Sequence, residues 1–405
     1  MRIALATVGT TGDVRPFAAL SRRLVARGHD VTLISWPVHR AALAVPGVRV
    51  ETAGPHADPV RIASVAADAA SRGPMEQVAV LRDFHLADGE AHYRRLVELL
   101  PGHDLVLLHS IHALAHAAAM DTDVRWATAV FDPVLLPTST APPPGMPNLG
   151  PLNRLLWRML GGALARAGGP LDDVLERAGS AQRGLPLFRA RSPRLHLVAC
   201  SPALMEVPTD LPAGTHVTGA WRETDGPSRL PPALEAFLAD GPAPVVVTFG
   251  SMRGDTGDAT SHAVREILDA GRRVVLQGTG PDLVSANLIV IGAVDHRALF
   301  PRAGLVVHHG GAGTTHAAVA AGVPSVVVPH VGDQRYWAAR LQRLGVAPPP
   351  IEVKNLRGDR LAESVLAVAA DPRLRARAIE LADHLRGEDG VATAVELLER
   401  AGTGG

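Results

Sequence analysis

Residues 306–334 read VVHHGGAGTTHAAVAAGVPSVVVPHVGDQ: two histidines, a glycine cluster, a helix-like apolar stretch and an Asp-Gln pair. The run LVVHHG into GAGTTHAAVAAG reads as a strand-to-helix turn. Glycine there lets backbone N–H groups approach a ligand, and a helix N-terminus favours an anion. The dinucleotide fingerprint fails, because after Gly311 and Gly313 its third glycine position holds His316. The turn QGTGPDL fails in the same way at Leu283, and no Gly-Lys-Ser/Thr follows either turn to make a P-loop. The expected ligand is therefore a diphosphate held at this turn without P-loop machinery. His309 would add a donor or partial charge, a charge-assisted bond being worth roughly 1.5 to 3 kcal/mol. Glycines alone would serve equally well to pack strand against helix. Along LVVHHG, alternation should send His308 and His309 to opposite faces.

Three further positions carry polar chemistry at strand ends. In PHVGDQ, Asp333 can accept from hydroxyls while Gln334 donates and accepts, a pair suited to a sugar, although the same residues make an ordinary helix N-cap and its neighbour. In TFGSM, Ser251 is available to a phosphate oxygen or to a cap; the G-x-S-x-G of a hydrolase elbow is missing. In VGTTGDVRP, Asp13 stands near the start of the first helix, where capping is the commonest task of an aspartate.

The elements that must position these residues follow from composition and pattern. At 405 residues the chain exceeds the size at which one core stops growing, so two domains are expected. With 47% hydrophobic and 20% charged residues it is globular, and forty basic residues balance forty acidic ones without a basic stripe, which argues against a nucleic-acid partner. The single cysteine, Cys200, excludes an intramolecular disulfide and reads as a core thiol. The opening MRIALATVG has no signal-peptide character and no apolar run is long enough to span a bilayer, so a cytoplasmic location is expected.

Strand-like runs RIALATVG, DVTLIS, VRVETA, DLVLLHS, RWATAVF and LHLVACS alternate with helical patterns, which argues for a parallel α/β sheet. In the first helix Val14, Phe17, Leu20, Leu24 and Val25 share one face and Gly28 ends it. A second series, PVVVTFG, RRVVLQG, NLIVIG, GLVVHHG and PSVVVP, follows a stretch of turn chemistry. The expected division is a first domain at 1–208, a linker region at 209–243 and a second domain at 244–405. Two such halves imply a cleft with ligand loops at the strand carboxyl ends.

The segments VGTTGDVRPFAALSRRLVARGHDVTL, VTFGSM and VHHGGAGTTHAAVAAGVPSVVVPHVGDQRYWA, with their spacing, resemble GT-B glycosyltransferases of the family-1 type, near the bacterial antibiotic and sterol-type glucosyltransferases. The resemblance spans essentially the whole chain. It implies two Rossmann-like α/β domains facing each other across a cleft, an acceptor-binding domain at 1–208 and a nucleotide-sugar-binding domain at 244–405 whose last helix packs back on the first. It further implies that His309 and the turn from Gly311 to Thr314 bind the donor diphosphate with Ser251 assisting, that Asp333 and Gln334 contact the donor sugar, and that the backbone near Val294 meets the base. Where plant relatives carry a base-stacking tryptophan this sequence has Ala293, leaving UDP- and TDP-sugars both open as donors. Asp13 matches the acceptor-activating base of the antibiotic-type members.

The implied reaction is inverting transfer to a hydroxyl of a small, apolar acceptor such as a polyketide, macrolide or sterol. No metal and no cofactor are required, the nucleotide sugar being a co-substrate. MDTDVRW contains a D-x-D, but Asp121 and Asp123 read as turn residues. Acceptor contacts are expected from Thr11, Gly12, His112, Met75, Phe84 and Met146, of which the apolar members could equally be core. His109, His112 and His116 cluster after DLVLL; partly exposed histidines on a helix are the plain alternative to an acceptor role. Two other readings share the diphosphate turn: a GT-B-like sugar-nucleotide epimerase, and a catalytically inactive helper on the same fold.

Overall fold

A computed structural model of the chain describes residues 1–70, 72–143, 146–187, 189–223, 229–249, 257–278 and 283–403. It divides into two compact units: Met1–Val65 with Arg72–Thr224 and Asp389–Gly405, and Ala66–Ser71 with Asp225–Glu388.

In the first unit β1 (Arg2–Ala6), β2 (Asp30–Ser35), β3 (Val48–Thr52), β4 (Leu105–His109), β5 (Trp126–Val130), β6 (His196–Val198) and β7 (Thr215–Val217) form a seven-stranded sheet in the order β3-β2-β1-β4-β5-β6-β7. Every neighbouring pair is parallel, so both faces need cover and the strands are apolar on both sides. Alternation sends Ile3, Leu5, Leu33 and Leu107 into one core layer and Ala4, Ala6, Ile34 and Leu108 into the other. The helix Thr11–Ala26 buries Val14, Phe17, Leu20 and Leu24, and Gly28 follows its end at φ +83°. The C-terminal helix Gly390–Thr403 belongs to this unit. Its Val391, Ala394 and Leu398 share the core layer of the first helix, and Glu399 receives Arg27 and His29, each at 2.9 Å.

In the second unit β8 (Val245–Thr248), β9 (Val274–Gln277), β10 (Leu288–Ile291), β11 (Leu305–His308) and β12 (Ser325–Val327) form a parallel sheet in the order β10-β9-β8-β11-β12. Val245, Val247 and Val307 face one core layer; Val246, Val275 and Val306 face the other. In both sheets the chain runs outward in one direction and then crosses back, so the order reverses between β1 and β4 and between β8 and β11. Ligands of such sheets bind outside the strand carboxyl ends at these switch points.

Residues 209–243 are not bare linker. They contain β7, the edge strand of the first sheet, and the helix Pro232–Ala239, whose Leu234 and Leu238 are buried in the second unit's core. The three residues of β7, Thr215–Val217, are too few to show a strand period in sequence. Among the described residues no helix is long and apolar enough to cross a membrane.

Candidate active site

At the second switch point β11 ends on His308, which is fully buried. Its Nδ1 accepts from the Gly310 amide at 3.1 Å, so the imidazole shapes the turn from inside, and its buried Nε2 has no partner among the described residues. Burial pushes its pKa down to about 3, with His309 and His296 adding to the effect. Gly310 has φ +86°, and a Cβ there would meet the Gln334 carbonyl oxygen and Val327 Cγ1, each at 2.9 Å. At Gly311 a Cβ would lie 2.5 Å from His309 Nε2. The bare backbone at these two positions is thus demanded by close approach: one glycine brings the turn against the Asp-Gln loop, the other seats the His309 ring. The helix Ala312–Ala320 starts directly afterwards with no side-chain cap, leaving its first amides directed at whatever occupies the turn. Gly313 is exposed and a Cβ there would meet nothing within 4 Å, while Thr314 is half-buried.

His309 keeps part of its surface open, but its Nδ1 is buried without a partner among the described residues. Burial, reinforced by His330 and His296, lowers its pKa to about 3. At neutral pH the ring is uncharged, so what it can offer an anion is a hydrogen-bond donor and not a positive charge. His308 and His309 differ as alternation requires, one turned into the core and one toward the open edge.

His330, which sequence reasoning passed over, belongs to the same cluster. It is buried against Phe249 with ring centroids 5.7 Å apart. Its Nδ1 lies 2.8 Å from the Val328 carbonyl and must donate, which leaves Nε2 as a lone-pair acceptor, buried and without a partner. Burial lowers its pKa, the Val328 carbonyl opposing and Arg335 assisting. The available signal was position alone, a histidine just past the end of a strand beside the switch point.

Gln334 and Asp333 are partly spent on their own loop. Gln334 Oε1 accepts from the His330 and Val331 amides at 2.7 and 3.1 Å, which fixes its orientation and leaves its NH2 group as the donor. Asp333 Oδ2 accepts from Trp337 Nε1 at 2.7 Å, and the side chain makes no cap bond to the helix Gln334–Arg343. Beside this loop, His316 Nδ1 lies 2.7 Å from the Ala312 carbonyl oxygen, to which it must donate, and the ring packs edge-on against Trp337, filling the place of the missing third glycine. Val294 follows β10, half-buried against the core, with Ala293 exposed before it. Nearby, Gln277 Oε1 accepts from Thr248 Oγ1 at 2.7 Å and lies 3.2 Å from His296 Nε2. Ser251 lies outside the described residues.

At the first switch point Asp13 sits in a capping box: its Oδ2 accepts from Thr10 N at 2.7 Å and Thr10 Oγ1 at 2.9 Å. Among the described residues no donor reaches Oδ1. Gly9, at φ +112°, is needed there because a Cβ would stand 2.5 Å from Asp13 Oδ2. Two buried imidazoles flank the turn. His39 Nε2 lies 3.0 Å from the Gly9 carbonyl, and His109 Nδ1 lies 3.4 Å from the Val8 carbonyl. Burial lowers both pKa values; the Asp13 charge pulls each back up. Thr11 and Gly12 are exposed.

The expectation of partly exposed histidines after DLVLL is corrected: His109, His112 and His116 are all buried. His112 caps the helix Ala113–Asp121, its Nδ1 accepting from Ala115 N at 3.4 Å, and packs on His92 at 5.0 Å. His116 packs on Trp126 at 4.6 Å. Neutral imidazoles tolerate this burial, which lowers the His112 pKa well below its usual value and that of His116 to about 4. Phe84 is a core residue packed edge-on against Trp36 at 5.3 Å, not a free acceptor wall. Met146 is exposed, and Met75 lies in the helix Pro74–His85 with its side chain outside the described set. Asp121 accepts from Tyr93, Ser180 and Gln182 at 2.6, 2.5 and 2.8 Å, and Asp123 turns the chain at φ 49°.

Two Rossmann-type sheets, one carrying an anion-receptive glycine turn, narrow the class of protein considerably. Residues 267–398 match the family described as Erythromycin biosynthesis protein CIII-like, C-terminal domain, and residues 3–54 match the Glycosyltransferase family 28 N-terminal domain. The chain belongs to the GT-B glycosyltransferases of the family-1 type. It is 34% identical to O-mycaminosyltylonolide 6-deoxyallosyltransferase of Streptomyces fradiae over 98% of this chain and 97% of that protein. Vancomycin aglycone glucosyltransferase of Amycolatopsis orientalis matches at 34% identity with the same coverage, 98% and 97%. In structure the chain is similar in fold to the glycotransferase of kitacinnamycin, with TM-score 0.73, 22% identity and coverage of 99% and 98%. Glycosyltransferase VinC in complex with DTDP aligns with TM-score 0.68 at 22% identity over 100% of each chain.

Proposed function

We propose that the protein transfers a sugar, with inversion, from a TDP- or UDP-sugar to a hydroxyl of a small apolar natural product. The acceptor oxygen forms a bond to the anomeric carbon as the bond from that carbon to the diphosphate oxygen breaks. The acceptor proton passes to Asp13, and the diphosphate leaves with the electron pair. His309 and the amides that open the helix Ala312–Ala320 receive the developing negative charge. Asp333 and Gln334 face the sugar, the backbone near Val294 faces the base, and Ser251 assists at the phosphates.

The observation that carries this reading is the glycine turn beside an uncapped helix N-terminus, where His309 has a buried nitrogen without a partner. Buried polar groups of that kind cost about 1 to 3 kcal/mol each when left unmade, so the turn favours a polar ligand. Support for a thymidine-type donor comes from neighbours solved with thymidine diphosphate. The natural-product acceptor is supported by relatives that act on a tylonolide and on the vancomycin aglycone.

The test is mass spectrometry of hydroxylated polyketides, macrolides and sterols incubated with TDP- and UDP-sugars. A product heavier by one sugar, with inverted anomeric configuration by NMR, is expected, and turnover should survive exhaustive EDTA treatment. An epimerised sugar nucleotide without any acceptor, or activity restored only by Mn²⁺ or Mg²⁺, would contradict the proposal.

A further inference from the structure

Within the first unit a cavity of about 310 Å³ lies at the carboxyl ends of β4 and β5, the sheet edge that also carries the Asp13 turn. Ser110 and Val130 form its floor, the helix Asn153–Ala167 one wall, and Gly184, Pro186 and Arg189 to Arg191 another. Its size suits a small molecule. A Cβ at Gly161, on the helical wall, would meet nothing within 4 Å, so this wall has room to spare.

The charged groups around the cavity are all of one sign. Arg189 and Arg191 line it, and among the described residues no aspartate or glutamate does. Arg191 is exposed and reaches the Ala213 carbonyl at 3.4 Å. Arg189 is different. Its guanidinium lies 4.9 Å from the Trp157 ring centroid, and Trp157 is itself fixed by donating Nε1 to the Ala141 carbonyl at 2.9 Å. Among the described residues Arg189 has neither an ion pair nor a hydrogen bond, and its Nε is buried without a partner. Burial alone lowers its pKa; no carboxylate acts to raise it. The third basic group, His196, is tied to Thr128 Oγ1 at 2.8 Å and is lowered to about 4 by burial with Arg191 assisting, so it stays neutral. An arginine taken partly out of water without a counter-ion is unfavourable for folding, whereas a guanidinium on an aromatic platform is well suited to grip a carboxylate through two parallel hydrogen bonds.

We propose that this cavity binds a ligand with an apolar body and a carboxylate, and that Arg189 receives the carboxylate. Calling that ligand the acceptor rests on the transferase reading above; the cavity and its charge preference do not. Arg189 is then a specificity-determining residue that the sequence, where it stands in an unremarkable LFRARS, did not single out.

The probes are 1-hydroxy-2-naphthoic acid, its methyl ester and inorganic phosphate, titrated calorimetrically into the full chain. In the wild type the acid should bind at least about tenfold more tightly than the ester, the lower range for a charge-assisted bond. Arg189→Gln should bring the two to near equality while melting at or above the wild-type temperature, because it removes an unpaired buried charge. Gly161→Leu should weaken acid and ester alike by occupying the open wall. An acid-to-ester ratio near one in the wild type, or one unchanged in Arg189→Gln, overturns the proposal. So does phosphate binding as tightly as the acid, which would make this a simple anion site, or a large loss of melting temperature in Arg189→Gln, which would make the arginine structural. Thymidine diphosphate titrated into the same samples separates the two readings. If it binds while the acid preference is missing, only the carboxylate assignment falls; if neither it nor uridine diphosphate binds the wild type, the transferase reading falls and the naphthoate titration still reports on the cavity.

Discussion

The two switch points use the same strand-turn-helix plan with opposite polar economies. In the first unit Asp13 is held by both donors of Thr10, and its helix begins properly capped. In the second the helix Ala312–Ala320 begins uncapped, and His308, His309 and His330 each have a buried ring nitrogen without a partner among the described residues. A turn that satisfies itself can hold one carboxylate rigidly and keep its other oxygen available. A turn that does not satisfy itself gains most from a ligand. The first arrangement suits a group that acts on rate, the second a group that acts on affinity.

That division can be broken most severely at Asp13. Asp13→Asn keeps an oxygen for the Thr10 donors, so the fold should persist while proton acceptance is lost. General-base catalysis typically supplies about 10² to 10⁴ in rate, roughly 3 to 5 kcal/mol, and kcat should fall by that order. A near wild-type kcat would make Asp13 a cap and nothing more. Next in size is His309→Ala, expected to weaken nucleoside diphosphate binding by roughly 1.5 to 3 kcal/mol. Gly311→Ala should act in the same direction, because its Cβ would displace the His309 ring. Calorimetry at pH 7.5 in buffers of different ionisation enthalpy should show no proton uptake by His309; uptake approaching one proton would mean the ring binds as a cation.

His308→Ala sharpens the contrast from inside the turn. It leaves the Gly310 amide without its acceptor and should lower stability by about 1 to 3 kcal/mol in urea unfolding, with a smaller effect on nucleotide affinity than His309→Ala. A larger affinity loss than that of His309→Ala would reverse the roles of the pair.

Burial of uncharged imidazoles in both units also predicts that stability depends on pH. His92 in the first unit and His308 in the second both have folded pKa values near 3, chiefly through burial, against an unfolded value of about 6.5. Below that unfolded value the unfolded chain binds protons that the folded chain does not. Stability should therefore fall as pH drops from about 6.5 toward 3, by about 1.4 kcal/mol per pH unit for each such ring. Urea midpoints flat across pH 6.5 to 4 would contradict neutral burial of these histidines.

What the sequence disclosed follows the length of each pattern. Eleven of the strands stand out as apolar runs, while β7, three residues between glycines, does not. The glycine turn was legible because missing side chains at fixed spacing are themselves a signal; that Gly310 yields to the Gln334 carbonyl and Gly311 to the His309 ring is a fact of three dimensions. His330, His39 and Arg189 were illegible for a related reason. Each acts through what surrounds it: a carbonyl that fixes a tautomer, a loop carbonyl beside Asp13, and a cavity with no carboxylate. Gln334 was read as a sugar ligand from its chemistry alone, but the two amides it closes lie within its own loop and required the backbone path to be seen. Phe84 illustrates the converse, an aromatic residue whose apolar character fits a core and an acceptor wall equally until its packing on Trp36 is known.

The division between a rate-determining carboxylate and an affinity-determining imidazole is tested most directly by titrating thymidine diphosphate into wild type, Asp13→Asn and His309→Ala side by side. The expected result is an unchanged Kd for Asp13→Asn and a Kd raised about tenfold or more for His309→Ala, each variant melting cooperatively. Equal affinity for wild type and His309→Ala, or a loss confined to Asp13→Asn, would contradict it.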